Sequence, residues 1–151
     1  MTWDQLLPML WEGTVETLYM TLWSSAIAYL IGLPLGVLLV VTRRGGIMPS
    51  VTFNAILGVA INFLRSIPFI ILLVMLFDVT RFVMGSAIGT RACIFPLFVS
   101  AFPYVARIVE GSLAEVEKGV IEAAQSMGAT PLQIICKVIL REAFPSLISG
   151  A

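Results

Sequence analysis

At 151 residues, with 59% hydrophobic and only 12% charged side chains and a mean hydropathy of +1.01, the chain carries about half the charge of an ordinary soluble domain. A net charge of zero argues against an electrostatic nucleic-acid binder, and the absence of any histidine excludes histidine-based catalysis or metal ligation. The two cysteines, Cys93 and Cys136, stand apart in an apolar run and a polar one, a pattern that points to small hydrophobic fillers and to neither a disulfide nor a metal site.

In chain order, the first element is Leu18 to Val41, 24 positions without a charge. A helix of that length extends about 36 Å, enough to cross a hydrocarbon core about 30 Å thick with some tilt. Each apolar residue gains a few tenths of a kcal/mol on insertion, whereas a central charge costs about 3 kcal/mol, and this segment carries none. A secretory signal peptide would open with a basic segment, but the residues before Leu18 include Asp4, Glu12 and Glu16 and no Lys or Arg. A retained span over about 18–41 is therefore expected. A second span is expected over about 59–79, interrupted by Arg65, Ser66 and Pro68. Ile67 precedes a proline and is pushed out of the α region, so the backbone should kink near Ser66. Arg65 reads in two ways, as a side chain snorkelling to the headgroups or as an intramembrane cation that lines a pathway or meets a partner. A third span is expected over about 86–106, with Pro96 and Pro103 inside it; prolines there imply a helix packed among others. Gly32 and Gly36, and again Gly85 and Gly89, have the spacing of helix-packing small residues.

Beyond the third span lies a more polar stretch, about 115–144. Ile121 to Met127 reads as helix, and Gly128 supplies a residue able to take positive φ just past its end. Thr130 then stands as an N-cap, Pro131 at the first helical position and Gln133 three residues after the cap, a capping box that starts a second helix running to about Phe144. A fourth apolar run begins at about Phe144. The spacing of Ala124, Gly128 and Ile134 also fits a DNA-reading helix-turn-helix, but the stretch from Arg107 to Pro145 has four basic against five acidic residues. A DNA reader brings a basic footprint to the phosphates, so the partner is expected to be something other than nucleic acid. A protein-docking element is the alternative, with Ala123 and Ala124 forming a shallow surface and Glu122 a polar contact at its edge. The plainer reading is that the two alanines pack the helices together and Glu122 is solvated.

The basic residues set an expected orientation. The segment before Leu18 has none, Arg43 and Arg44 follow the first span, and Arg107, Lys118, Lys137 and Arg141 follow the third. The helix pair should then be cytoplasmic and the N-terminus outside.

Glu122-Ala123-Ala124 followed by Gly128, with Ile139 and Pro145 beyond, resembles the EAA loop of ABC-importer permeases. The match holds through Gly128; Val138 stands where the pattern has isoleucine, and Arg141 to Phe144 separate Leu140 from Pro145. Within that family, INFLRSIPFIILLV at 61–74, PYVARIVEGSLAEV at 103–116 and EAAQSMGATPLQI at 122–134 are most similar to methionine-importer permeases. The resemblance implies an all-α integral membrane protein with three full transmembrane helices, the start of a fourth and a cytoplasmic EAA helix-turn-helix. It implies a multi-pass inner-membrane permease domain over 10–151, expected to be C-terminally incomplete because permeases of this kind continue through further spans. The implied partners are a cytoplasmic ABC ATPase, a second copy of the permease and an external substrate-binding protein. ATP hydrolysis would lie on the separate ATPase subunit, and no cofactor is implied. Glu122, Ala123, Ala124, Gly128, Thr130 and Pro131 would form the coupling surface, with Arg65, Ser66 and Pro68 as pathway or interface candidates. A permease for polar amino acids, or a membrane scaffold that does not transport, would share most of these features.

Overall fold

The computed structural model describes residues 2–150, which are helical almost throughout, with no strand among them. The order is α1 (Trp3–Thr42), α2 (Val51–Ser66), α3 (Phe69–Met75), α4 (Phe77–Met84), α5 (Thr90–Ala114), α6 (Lys118–Ser126), α7 (Pro131–Gln133), a π-helical stretch (Ile134–Ile139) and α8 (Leu140–Gly150). Two helices, α1 and α5, are long and apolar enough to cross a membrane, and the count reaches three if the bent pair α2 and α3 forms one span.

The expected first span lies inside α1, but the helix begins well before Leu18, at Trp3. Asp4 in its first turn suits the positive end of the helix dipole. Thr14 and Thr17 return their hydroxyls to the carbonyls of Leu10 and Gly13 at 2.7 Å, so neither competes with the helical ladder. The 40-residue rod is about 60 Å long, twice the hydrocarbon thickness.

The second expected span is not a single rod. The break falls where the proline predicts it: α2 stops at Ser66 and Pro68 stands as the N-cap of α3. At 16 and 7 residues, about 24 Å and 10 Å, neither piece alone matches the bilayer core. The third expected span also shifts, from 86–106 to Thr90–Ala114. Gly85 and Gly89 have φ of 78° and 116°, so they form a turn rather than a packing face, and α5 starts after it. The helix runs on past Ala106 because Arg107 is neutralised in place by Glu110 one turn later. Pro96 and Pro103 are both fully buried, in accord with a helix packed among neighbours.

The chain forms two compact units, and the division falls within α1 and α5. One unit takes the chain up to Tyr29 together with Ile67–Phe102, and the other takes Leu30–Ser66 with the chain from Pro103 onward. In the first, Ala28, Leu72, Thr80, Ala92 and Ile94 are buried. In the second, Leu39 of α1, Ile61 of α2 and Ala106 of α5 form the core, with Leu35 and Leu57 against them. Gly32 and Gly36 are buried on α1. A Cβ at Gly36 would stand 2.6 Å from the Val109 side chain and 2.8 Å from the Ala106 carbonyl, so α1 and α5 meet there at a distance only glycine permits. Between helices in lipid such close contact replaces the hydrophobic effect as the cohesive force.

Candidate functional site

The polar stretch after α5 folds as the turn chemistry dictates. Glu117 is the extended N-cap residue of α6, which ends at Ser126 with Met127 as its C-cap. Gly128 follows at φ +80°. Its N–H donates to the Gln125 carbonyl at 3.0 Å, and the Ala129 N–H donates to that of Ala124 at 3.2 Å. These paired bonds form a Schellman closure, which satisfies carbonyls that a helix end otherwise leaves open. Two residues later the Thr130 hydroxyl accepts from the Gln133 N–H at 3.4 Å, while the Gln133 side-chain oxygen accepts from the Thr130 N–H at 3.0 Å. Pro131 occupies the first turn. Both ends of the turn are thus locked by local bonds, and the helix pair is a stiff corner rather than a flexible loop.

The second rod differs from expectation in two ways. It passes through six π-helical residues, Ile134–Ile139, an irregularity frequent at functional positions. It also runs through Phe144 and Pro145 to Gly150, whereas the helix was expected to end at about Phe144. Pro145 forfeits one ladder bond, to Arg141, but its fixed φ remains helical.

Burial separates the candidate residues. Ala124 is 5% exposed and packs inward, with Ile134, Ile139 and Ala143 also buried, and α6 lies against the π stretch. Within this chain the small side chain of Ala124 is buried where α6 meets the second rod. Glu122, Ala123, Gly128, Thr130 and Pro131 are exposed. Around them stand two large apolar side chains that the motif does not include, Met127 at 83% and Leu132 at 73% exposure. They flank the corner on opposite sides in sequence, and the signal for them was available: each is a bulky apolar residue adjoining turn chemistry in an otherwise polar stretch. Glu122 also lines, with Arg43, Lys118 and Gln125, a pocket of about 170 Å³ beside the turn that follows α1.

Arg65, Ser66 and Pro68 are not gathered into a site with these residues. Ser66 returns its hydroxyl to the Asn62 carbonyl at 2.8 Å. The Arg65 guanidinium lies 5.0 Å from the centre of the Tyr104 ring, a cation–π contact worth about 0.5–1 kcal/mol when exposed. Arg65 belongs to one face of α2 with Asn54, Gly58 and Ile61, at helical spacing. Asn54 Nδ2 donates to the Leu39 carbonyl at 2.6 Å and to Thr42 Oγ1 at 3.3 Å. Gly58 offers its carbonyl to Arg107 at 3.1 Å. Reading the sequence missed this seam, because two of its acceptors are backbone oxygens.

Long apolar helices with a rigid corner define an all-helical protein with two to three candidate membrane spans. The profile of the binding-protein-dependent transport system inner membrane component matches residues 32–151, and the chain belongs to that family. Among its relatives, the probable D-methionine transport system permease protein MetI of Vibrio cholerae is 46% identical over 94% of this chain and 63% of its own length. The D-methionine transport system permease protein MetI of Escherichia coli K12 is 48% identical over 95% of this chain and 68% of its own length. The chain thus spans about two thirds of the curated relatives it matches. A solved structure of the MetNI methionine ABC transporter, in an inward-facing conformation, superposes with a TM-score of 0.96 at 46% identity, covering 99% of this chain and 69% of that one. A second crystal form of the same transporter gives 0.92 at 48% identity, covering 95% and 68%.

Proposed function

We propose that the chain is the membrane-spanning permease subunit of an ATP-driven importer of methionine, and that the α6–α8 corner is where a separate ATPase subunit pushes on it. The observation that carries this reading is the corner itself. Two interlocking sets of local hydrogen bonds hold it rigid, while Glu122, Ala123, Met127 and Leu132 stand exposed around it. A stiff knob with an apolar tip suits insertion into a groove on a rigid partner, and Ala124 contributes from beneath by bringing the rods together. ATP-driven closure of the ATPase would move the corner nearly as a rigid body and bias the membrane helices between two arrangements. ATP hydrolysis then lies on the ATPase, and a second copy of the permease and an external binding protein complete the importer. The names of the relatives favour methionine over a polar amino acid. The basic residues that follow α1 and α5 support a cytoplasmic corner and an external N-terminus in a bacterial inner membrane. In this arrangement residues 10–151 form part of the permease domain.

The test is uptake of radiolabelled methionine by cells expressing this permease within its complete reading frame, together with recovery of the ATPase on the purified permease. Saturable, ATP-dependent uptake with the ATPase bound is expected. An ATPase that fails to co-purify, or uptake unaffected by deletion of the permease, would overturn the reading.

A further inference from the structure

Arg107 lies within the apolar helix α5, next to Ala106, a residue with no exposed surface. Its Nη1 donates to Glu110 Oε2 at 2.6 Å, the only ion pair among the described residues. Its Nη2 donates to the Gly58 carbonyl of α2 at 3.1 Å, and its Nε is buried without a partner. A charge set among apolar helices is costly unless it is paired and hydrogen-bonded. The bond to Glu110 alone would offset that cost within one helix. The bond to Gly58 does something else, because it ties α5 to α2. A Cβ at Gly58 would stand 3.4 Å from Nη2, at the near edge of ordinary van der Waals contact.

We propose that Arg107 is the positioning residue that carries motion of the α6–α8 corner into α2. The path is short. The corner leads into α6, which joins α5 through Glu115–Glu117, and Arg107 stands two turns before the end of α5. Apolar contacts such as Leu39, Ile61 and Ala106 hold helices together by shape and carry no donor–acceptor direction. A charge-assisted bond to a single backbone oxygen is directional and resists both sliding and rotation. Arg107 therefore sets the register between α5 and α2, and α2 ends at the proline break before α3. The planar guanidinium serves both acceptors at once from fixed directions, which the single ammonium of lysine cannot reproduce.

This assignment rests on the importer reading, and the assembled transporter in proteoliposomes tests the two separately. Three quantities are measured for the wild type, R107M, R107K and the exchanged pair R107E with E110R: ATPase recovered with the permease, ATP hydrolysed, and methionine taken up. The exchange keeps an intrahelical ion pair but removes the donor from Gly58. With the ATPase still bound and hydrolysing, uptake per ATP is expected to fall about tenfold or more in R107M and in the exchanged pair, the ratio one charge-assisted hydrogen bond can supply, and less in R107K. Uptake per ATP within twofold of wild type in both, or loss of ATPase binding in both, would overturn the positioning role while leaving the importer reading intact. A wild-type permease that recovers no ATPase would remove the importer reading and this one with it.

Discussion

The corner at Gly128 offers a test that separates backbone strain from lost contact. Gly128 sits at φ +80°, and a Cβ built on it would meet nothing within 4 Å. Substitution therefore creates no clash within the chain, and the whole penalty is conformational. For an ordinary L-residue the left-handed conformation costs about 1–2 kcal/mol, while asparagine tolerates it at less. If the Schellman closure yields to this strain, the closed corner loses population by about 5- to 30-fold, because the bonds from Gly128 to Gln125 and from Ala129 to Ala124 form only with that φ. The expected order of ATPase affinity is Gly128, then Gly128→Asn, then Gly128→Ala, then Gly128→Val, since β-branching narrows the allowed backbone further. Titration of purified ATPase onto permease variants in detergent reads the series directly. Gly128→Glu has the same backbone cost as alanine but projects a charge beside Met127 and Leu132, so any loss beyond alanine reports the partner's surface. Alanine binding as tightly as glycine, or asparagine binding more weakly than alanine, would refute the strained-turn argument.

Two further outcomes follow from the same geometry. Gly36→Ala should destabilise the protein by about 1–3 kcal/mol, the cost of overpacking, since its Cβ would overlap Val109 and the Ala106 carbonyl; an unchanged melting temperature in detergent would deny the close approach of α1 and α5. Topology reporters fused at Gly45 and Gly85 should be active only inside and only outside respectively, and the reverse result would invert the orientation argued from Arg43 and Arg44.

Legibility in the sequence followed the range of the forces. The corner was readable almost atom by atom, because Gly128, Thr130, Pro131 and Gln133 act within a few residues of one another and their chemistry depends on nothing distant. The core of α1 was readable because 24 uncharged positions decide a transfer free energy with no knowledge of neighbours. Pro68 marked the end of α2 for the same local reason. What hydropathy reports is preference for lipid, however, and not where a helix stops. Asp4, Glu12 and Glu16 lower the hydropathy of the segment before Leu18 without lowering its ability to be helical, so a span read from hydropathy starts at Leu18 while the helix starts at Trp3. Gly85 and Gly89 have the spacing of a packing motif, yet spacing cannot tell a helix face from two turn residues with positive φ.

Arg107 shows the limit most clearly, and it bears on mechanism. Read along the chain, a cation after apolar residues ends a span. In three dimensions its charge is met by Glu110 and its second donor by a carbonyl 49 positions away. A glycine carbonyl has no signature in a sequence, and neither does the Leu39 carbonyl that receives Asn54. Two of the three polar ties of the seam on α2 end on backbone oxygen, and the positions of those acceptors are set by helix register. A change of register between α5 and α2 would be felt by these directional bonds as well as by the close apolar packing around them. A seam of this kind therefore adds to the packing a constraint of direction that apolar contacts lack.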